Sequence, residues 1–266
     1  MIMAMIPLLF VSCDIFDGNF WGNNETDSPK NNSDKNPDSD DDKLDGGSGI
    51  SLGTTVNGKV TWYEGYDAES VAYYAPEIEN DWYKCAVSEN KLSEFPPQSA
   101  AEIAYNGKKI RVLVTDLCPN SKNSKWTSQS DYYFDLGKNA FAALGNTTGG
   151  VLNVSITKFA YQTTKNIRFQ EKPSNGNGYY LAGRFYNMRH PLKKVEISTD
   201  GKTFTQMTRM DGNKNNWWKI DGNGNLNSAS FYFRLTDEYG HVITSSSAMT
   251  FSAAEGSNGI GTNFPY

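Results

Sequence analysis

The sequence predicts a mainly β protein built of two units, and three observations carry that prediction. Short runs of alternating apolar and polar residues recur from Gly58 onward, clearest in Val195-Glu196-Ile197-Ser198 and Phe231-Tyr232-Phe233-Arg234-Leu235. That two-residue period belongs to a strand with one face buried. Turn chemistry punctuates the runs: the 266 residues include 24 Gly, and Asp200-Gly201 stands between two runs as a hairpin signal. Helical patterning stands out only at 138–144, closed by Gly145 at a C′ position.

The elements follow in chain order. The first unit spans 54–160, with strands expected at 59–64, 108–117 and 150–160 and the one helix between the last two. The second spans 164–252, with runs at 166–172, 180–187, 193–200, 203–210 and 229–237, whose even spacing suits a β-sandwich. Stretches 119–131 and 212–228 read as polar gaps and 253–266 as a loose tail. The junction at 161–165 is short enough that the two units are expected to pack rather than swing.

Ahead of these units, residues 1–13 read as an export signal. The segment MIMAMIPLLFVS is apolar but shorter than the roughly 20 residues needed to cross a bilayer. Leu9-Phe10-Val11-Ser12-Cys13 resembles a lipobox, which would make Cys13 a lipidated first residue. The next segment, 14–53, reads as a disordered acidic tether. Its ten acids and three lysines give it −7, which leaves +2 of the total −5 for the rest of the chain. After Trp21 it holds almost no large apolar residues, so it cannot offset the entropy of ordering. The expected location is therefore outside the membrane, on the cell surface through the lipid or secreted.

Composition excludes several functions. A mean hydropathy of −0.60 argues against membrane spans in the mature chain. Two histidines in the whole chain, His190 and His241, are far apart in sequence and are expected to be structural, and no metal or other cofactor is expected. The folded part lacks the basic stripe of a nucleic-acid binder, and no phosphate-binding or nucleophile-elbow motif is present. With Cys13 set aside, Cys85 and Cys118 are the cysteines left in an exported chain, and a disulfide between them is expected, worth about 3–4 kcal/mol in the chain-entropy model.

An ordered set of motifs carries a family resemblance. Val114-Thr115-Asp116-Leu117-Cys118-Pro119, Phe134-Asp135-Leu136-Gly137, Ala140-Phe141 and Leu144-Gly145 resemble a series found in expansins. Gly58-Lys59-Val60-Thr61-Trp62-Tyr63 resembles their opening strand, and Asn187-Met188-Arg189-His190-Pro191-Leu192 and Leu235-Thr236-Asp237-Glu238-Tyr239-Gly240 resemble two later stretches. The resemblance, to bacterial expansin-like proteins over roughly 58–245, implies a six-stranded double-psi β-barrel followed by an immunoglobulin-like carbohydrate-binding sandwich. It also implies a monomeric, non-hydrolytic protein that binds cellulose or a related plant wall β-glucan and loosens the wall.

The same resemblance sets the candidate site. Asp135 falls where related barrel enzymes keep their proton donor, and Asp116 ends a strand on the same cleft; Thr61, Tyr63 and Trp126 complete the barrel's candidates. Asp135 could alternatively cap the helix at 138–144. On the sandwich, Tyr179-Tyr180 falls where the family carries an aromatic pair. The family's third platform tyrosine is Gly212 here, and Trp217-Trp218 offers a replacement, with adjacent strand residues facing opposite ways. Two other functions stay open. A hydrolase or lytic transglycosylase would use Asp135 as general acid, and an endoglucanase would add Glu64 or Asp67 as base, because glycoside hydrolysis needs two carboxyls about 5–9.5 Å apart. A peptidoglycan-directed lipoprotein is the third.

Overall fold

A computed structural model describes residues 50–64, 73, 75–145, 149–172, 180–221, 230–250 and 258–266. The export signal with Cys13, the acidic tether through residue 49, Asp67 and Tyr179 lie outside the described residues. Among the described residues, no helix is long and apolar enough to cross a membrane.

The first unit is a closed barrel. Its strands are β1 (Thr55–Tyr63), β2 (Trp82–Ser88), β3 (Ala100–Tyr105), β4 (Lys108–Cys118), β5 (Tyr132–Gly137) and β6 (Leu152–Phe159), ordered β1-β5-β2-β4-β3-β6. β1 runs parallel to β5 and β2 to β4, whereas the other pairs are antiparallel. Two short helices sit outside, α1 (Asn120–Thr127) after β4 and α2 (Lys138–Ala143) after β5. α2 matches the expected helix. α1 corrects the expected polar gap at 119–131: its sequence NSKNSKWT carries no apolar period, and the segment is kinked at Asn123.

The barrel interior is filled by Val60, Cys85, Val87, Val112, Val114, Phe134, Leu136 and Ile156, all fully buried. Two irregularities in register control what faces outward. One lies between Lys59 and Val60 opposite Tyr132 and Phe134, so Tyr133 is the extra residue. The other lies between Cys85 and Ala86 opposite Val114 and Asp116, so Thr115 is the extra residue. A β-bulge of this kind turns the following side chains to the other face of the strand.

The second unit is a two-sheet sandwich. One sheet joins β7 (Arg168–Glu171), β8 (Tyr180–Tyr186), β11 (Thr208–Arg209), β12 (Trp217–Asp221) and β16 (Asn258–Gly259) in the order β11-β12-β8-β7-β16. The other joins β9 (Leu192–Ser198), β10 (Thr205–Gln206), β13 (Ser230–Asp237) and β14 (Val242–Thr244) as β10-β9-β13-β14, with β15 (Met249–Thr250) on β13. The run expected as one strand at 203–210 divides at buried Met207, where the chain passes from one sheet to the other. The Asp200-Gly201 turn forms as the sequence signals, with Gly201 at φ +71°. N–H groups of Thr203 and Lys202 and the Ser198 hydroxyl hold the Asp200 carboxyl down at about 2.

Two expectations for this half are corrected. The gap at 212–228 contains β12, paired along its length with β8. The tail is not loose where it is described: β16 extends the β7 sheet, Ile260 and Phe264 are buried in the sandwich core, and the Tyr266 hydroxyl donates to the Thr163 carbonyl at 3.0 Å. Alternating Gly and Asn looked like linker, but the two apolar residues among them were enough to dock it.

The core between the sheets is an aromatic cluster of Phe169, Phe185 and Phe233 with ring centroids 4.8–5.3 Å apart. Gly183 of β8 lies against it because a Cβ there would stand 2.1 Å from Phe169 Cζ and 3.0 Å from the Gln170 carbonyl. Gly183→Ala is therefore expected to destabilise the protein by about 1–3 kcal/mol, the usual cost of overpacking, measured as a lower midpoint in urea.

The two units are joined by polar contacts, some of them buried. Lys158 of β6, 1% exposed, donates to Glu238 Oε2 at 2.7 Å and to the Glu94 carbonyl at 2.9 Å. Burial raises the Glu238 carboxyl, against the pull of Lys158. Gln98 donates to the Phe185 carbonyl at 3.0 Å, Lys214 pairs with Glu89 at 2.7 Å, and the Tyr161 N–H reaches the Arg189 carbonyl at 3.0 Å.

Candidate functional site: a row of acids on the barrel and an aromatic face on the sandwich

The register lines up one row across four neighbouring strands. Thr61 of β1 pairs with Asp135 of β5, Asp135 with Ala86 of β2, and Ala86 with Asp116 of β4. Directly paired residues share a face of the sheet, so the two acids flank an alanine whose methyl group leaves the middle of the row low. The bulges make this possible. Simple alternation from Val114 or from Tyr133 would have turned Asp116 and Asp135 into the barrel interior.

Each acid is held by a neighbour. Asp135 is 3% exposed and accepts the Thr61 hydroxyl on Oδ1 at 2.7 Å. Thr61 has spent its proton there, so it accepts from the Tyr132 hydroxyl at 2.9 Å. The Asp116 Oδ1 accepts the Leu117 N–H at 2.8 Å, and Tyr63 donates to its Oδ2 at 3.5 Å. Asp135 does not cap the helix: Gly137 occupies that position and no side chain bonds there.

Tyr63, Ala86, Cys118 and Tyr132 form a small apolar cluster on this face, and Trp126 of α1 packs against it, its ring 6.1 Å from that of Tyr132. Tyr73 adds to the surroundings: its N–H bonds to the Thr115 carbonyl at 3.0 Å, and burial together with the Asp116 charge pushes its phenol well above the usual range. Sequence reasoning missed Ala86, Tyr132 and Tyr73; strand register reveals the first two, and the Tyr73 N–H bond to the Thr115 carbonyl places the third.

The expected Cys85–Cys118 disulfide is corrected. Both residues are buried thiols, not joined to each other. Cys85 points into the barrel core, its Sγ 3.6 Å from the Leu113 carbonyl, and Cys118 lies in the cluster on the acid-bearing face, its Sγ 3.8 Å from the Tyr132 hydroxyl. Cys118 pairs with Ser88, three residues along β2 from Cys85, which puts the cysteines about 10 Å apart along the strand and on opposite faces. A disulfide needs Cα atoms within about 7 Å.

Glu64, the described candidate for a second hydrolytic acid, follows β1 and is ion-paired with Lys138. Lys138 also lies 5.6 Å from the ring of Trp62, whose side of the strand is opposite to that of Thr61 and Tyr63. The structure does not bring Glu64 into the Thr61–Asp116 row.

On the sandwich, β12 separates the tryptophan pair. Trp217 is half-buried on the outer face, with the Arg184 guanidinium 4.4 Å from its ring and held in turn by Gln170 at 2.7 Å. Trp218 is 4% exposed and belongs to the core, which corrects its expected place on the binding surface. Tyr180 of β8 lies on the Trp217 face, four residues away in register or about 13 Å, and burial raises its phenol. Gly212 sits in the turn before β12 with φ +57° and open space around it.

The fold brings the two histidines together. They are distant in sequence but their ring centroids lie 5.9 Å apart, at the end of the sandwich that meets the barrel.

Comparisons with known proteins fit this geometry. Residues 55–156, the barrel, match a family model described as "Lytic transglycolase". Expansin-YoaJ of Bacillus subtilis is 29% identical over 135 residues, 51% of this chain and 51% of that protein. Expansin-like protein 6 of Dictyostelium discoideum is 27% identical over 143 residues, 52% of this chain and 46% of that protein. The chain spans about half the length of these curated relatives. The crystal structure of the Clavibacter michiganensis expansin superposes with a TM-score of 0.63 at 19% identity, covering 80% of this chain and 99% of that one. The chain is similar to bacterial expansins. The Clavibacter likeness extends the shared fold through both units of this chain. An aspartate-to-asparagine variant of the same Clavibacter protein, in complex with cellohexaose, matches at a TM-score of 0.60, 19% identity and 76% coverage of this chain.

Proposed function

We propose that this chain binds cellulose or a related β-glucan and loosens the wall network without cutting the glycan. The observation that carries the proposal is the Thr61–Asp135–Ala86–Asp116 row, in which both acids are held as hydrogen-bond acceptors by neighbouring hydroxyl or N–H groups. Carboxylates fixed in this way accept hydrogen bonds from sugar hydroxyls and compete with the bonds between polysaccharide chains. Trp217 and Tyr180 would continue the track, since flat rings stack on the apolar faces of sugars at small entropic cost. The cellohexaose complex of the Clavibacter variant supports this substrate class. Export, with a lipid on Cys13 or secretion, and a monomeric state belong to the same proposal.

A second reading has support from the barrel's own family match. A lytic transglycosylase or hydrolase would use Asp135 as general acid, and Asp116 stands two strands away on the same row, about 10 Å between Cα positions. The substrate is then the discriminating variable. Mixed with microcrystalline cellulose and, separately, with purified peptidoglycan, the protein is expected to be depleted from solution by cellulose. Depletion by peptidoglycan alone would favour the second reading.

A further inference from the structure

The end of the sandwich that faces the barrel gathers both histidines of the chain and one aspartate. His190 precedes β9, and Asp237 and His241 bracket the turn from β13 to β14. One ligand atom from each of the three lies within 4.8 Å of the others. Two of the three are buried, His190 at 1% and Asp237 at 0% exposure, whereas the His241 side chain is 43% exposed.

Main-chain groups orient the two buried donors. The His190 Nε2 faces the Pro265 carbonyl at 3.0 Å; a carbonyl can only accept, so this nitrogen carries the proton and Nδ1 keeps its lone pair. The Asp237 Oδ1 accepts the N–H groups of Tyr239 at 2.9 Å and His241 at 2.8 Å, which leaves Oδ2 turned toward His241 Nδ1 at 2.7 Å. An imidazole whose second nitrogen is tied to a carbonyl, beside a carboxylate whose second oxygen is tied to the backbone, is the outer-shell arrangement that aims ligands in metal centres.

We propose that His190, Asp237 and His241 form a site for a divalent transition ion of the zinc type, with its remaining position open to solvent beside His241. Two imidazoles and one carboxylate suit such ions, whereas calcium and magnesium prefer all-oxygen shells. Zinc bonds of about 2.0–2.1 Å put tetrahedral ligand atoms about 3.3 Å apart. Ligand atoms no more than 4.8 Å apart are therefore within about 1.5 Å of that spacing, and Asp237 Oδ2 and His241 Nδ1 already stand 2.7 Å apart.

The ion would join segments that also make the joint between the two units. Arg189, beside His190, accepts the Tyr161 N–H on its carbonyl; Glu238, beside Asp237, pairs with Lys158 of the barrel and donates its N–H to the Pro191 carbonyl at 2.9 Å. The site therefore braces the angle between barrel and sandwich and stands apart from the acid row.

The test is a calorimetric titration of the chelator-treated full chain with zinc, with cobalt(II) as a spectroscopic probe. The expected result is one zinc site that raises the thermal midpoint, and visible cobalt bands without sulfur charge transfer. His241→Ala, at an exposed position that leaves the fold intact by circular dichroism, is expected to weaken zinc by at least about tenfold and to abolish the cobalt bands. Asp237→Asn, which keeps an acceptor for the turn's N–H groups, is expected to do the same. Absence of saturable zinc binding in the wild type, or His241→Ala titrating like the wild type, would overturn the site; the second result would assign the ion to another part of the chain.

Discussion

Asp135→Asn is expected to reduce wall loosening to background while cellulose binding stays within about twofold of the wild type, a difference of under 0.5 kcal/mol. The reason lies in what the substitution keeps and removes. An asparagine oxygen can still accept the Thr61 hydroxyl that now reaches Asp135 Oδ1 at 2.7 Å, so the Tyr132–Thr61–Asp135 chain survives and the buried position keeps its polar partner. The charge disappears, and an amide N–H₂ replaces the second acceptor oxygen. A sugar hydroxyl donating to a carboxylate makes a bond roughly twice as strong as one to a neutral group. In the proposed function, loosening requires that bond to compete with the glycan's own contacts, whereas binding is spread over the whole track. Strips of heat-inactivated plant wall under constant load measure the first quantity and depletion by cellulose the second. Equal loss of both, with a lowered thermal midpoint, would mean that Asp135 supports the fold and not the glycan.

Adjacent tryptophans are expected to respond in opposite ways. Trp218→Ala removes a core residue that is 4% exposed, packed in the sandwich core and covered by the Arg209 guanidinium 4.5 Å from its ring. A stability loss of about 3–5 kcal/mol follows for truncating a buried aromatic of this size. Trp217→Ala leaves that core alone and removes a ring from the outer face. It is expected to change stability by under about 1 kcal/mol and to weaken cellulose binding on the order of tenfold or more. Urea midpoints and depletion isotherms on both variants separate the two effects. Weakened binding from Trp218→Ala alone, in a protein that is still folded, would move the proposed binding face to the other side of β12.

The particular residues show why the sequence was legible where it was. Strong alternation marked β9 and β13, and Gly145 marked the end of α2, because in each the local preference and the tertiary environment agree. β12 was hidden because Asn215, Asn216 and Lys219 around the tryptophans read as loop, yet the strand is held by five paired residues of β8. The acids were found through their motifs, but their shared face was not, because one extra residue at Thr115 and another at Tyr133 reverse the side-chain parity that alternation assumes. Strand register also defeats the expected disulfide: export chemistry argued for a bond, but Cys118 pairs with Ser88, three residues beyond Cys85. His190 and His241 met for a reason no spacing could supply, since the β8–β9 connection and the β13–β14 turn converge only in the folded sandwich.

The central claim is that the row around Asp135 grips glycan without breaking it, and one paired measurement tests it most directly. Extension of a loaded wall strip and the appearance of new reducing ends in the same bath can be followed together after the protein is added. The account predicts extension with reducing ends no higher than in a protein-free control. Reducing ends that rise in step with extension, and fall with it in Asp135→Asn, would contradict it and make Asp135 the acid of a hydrolase.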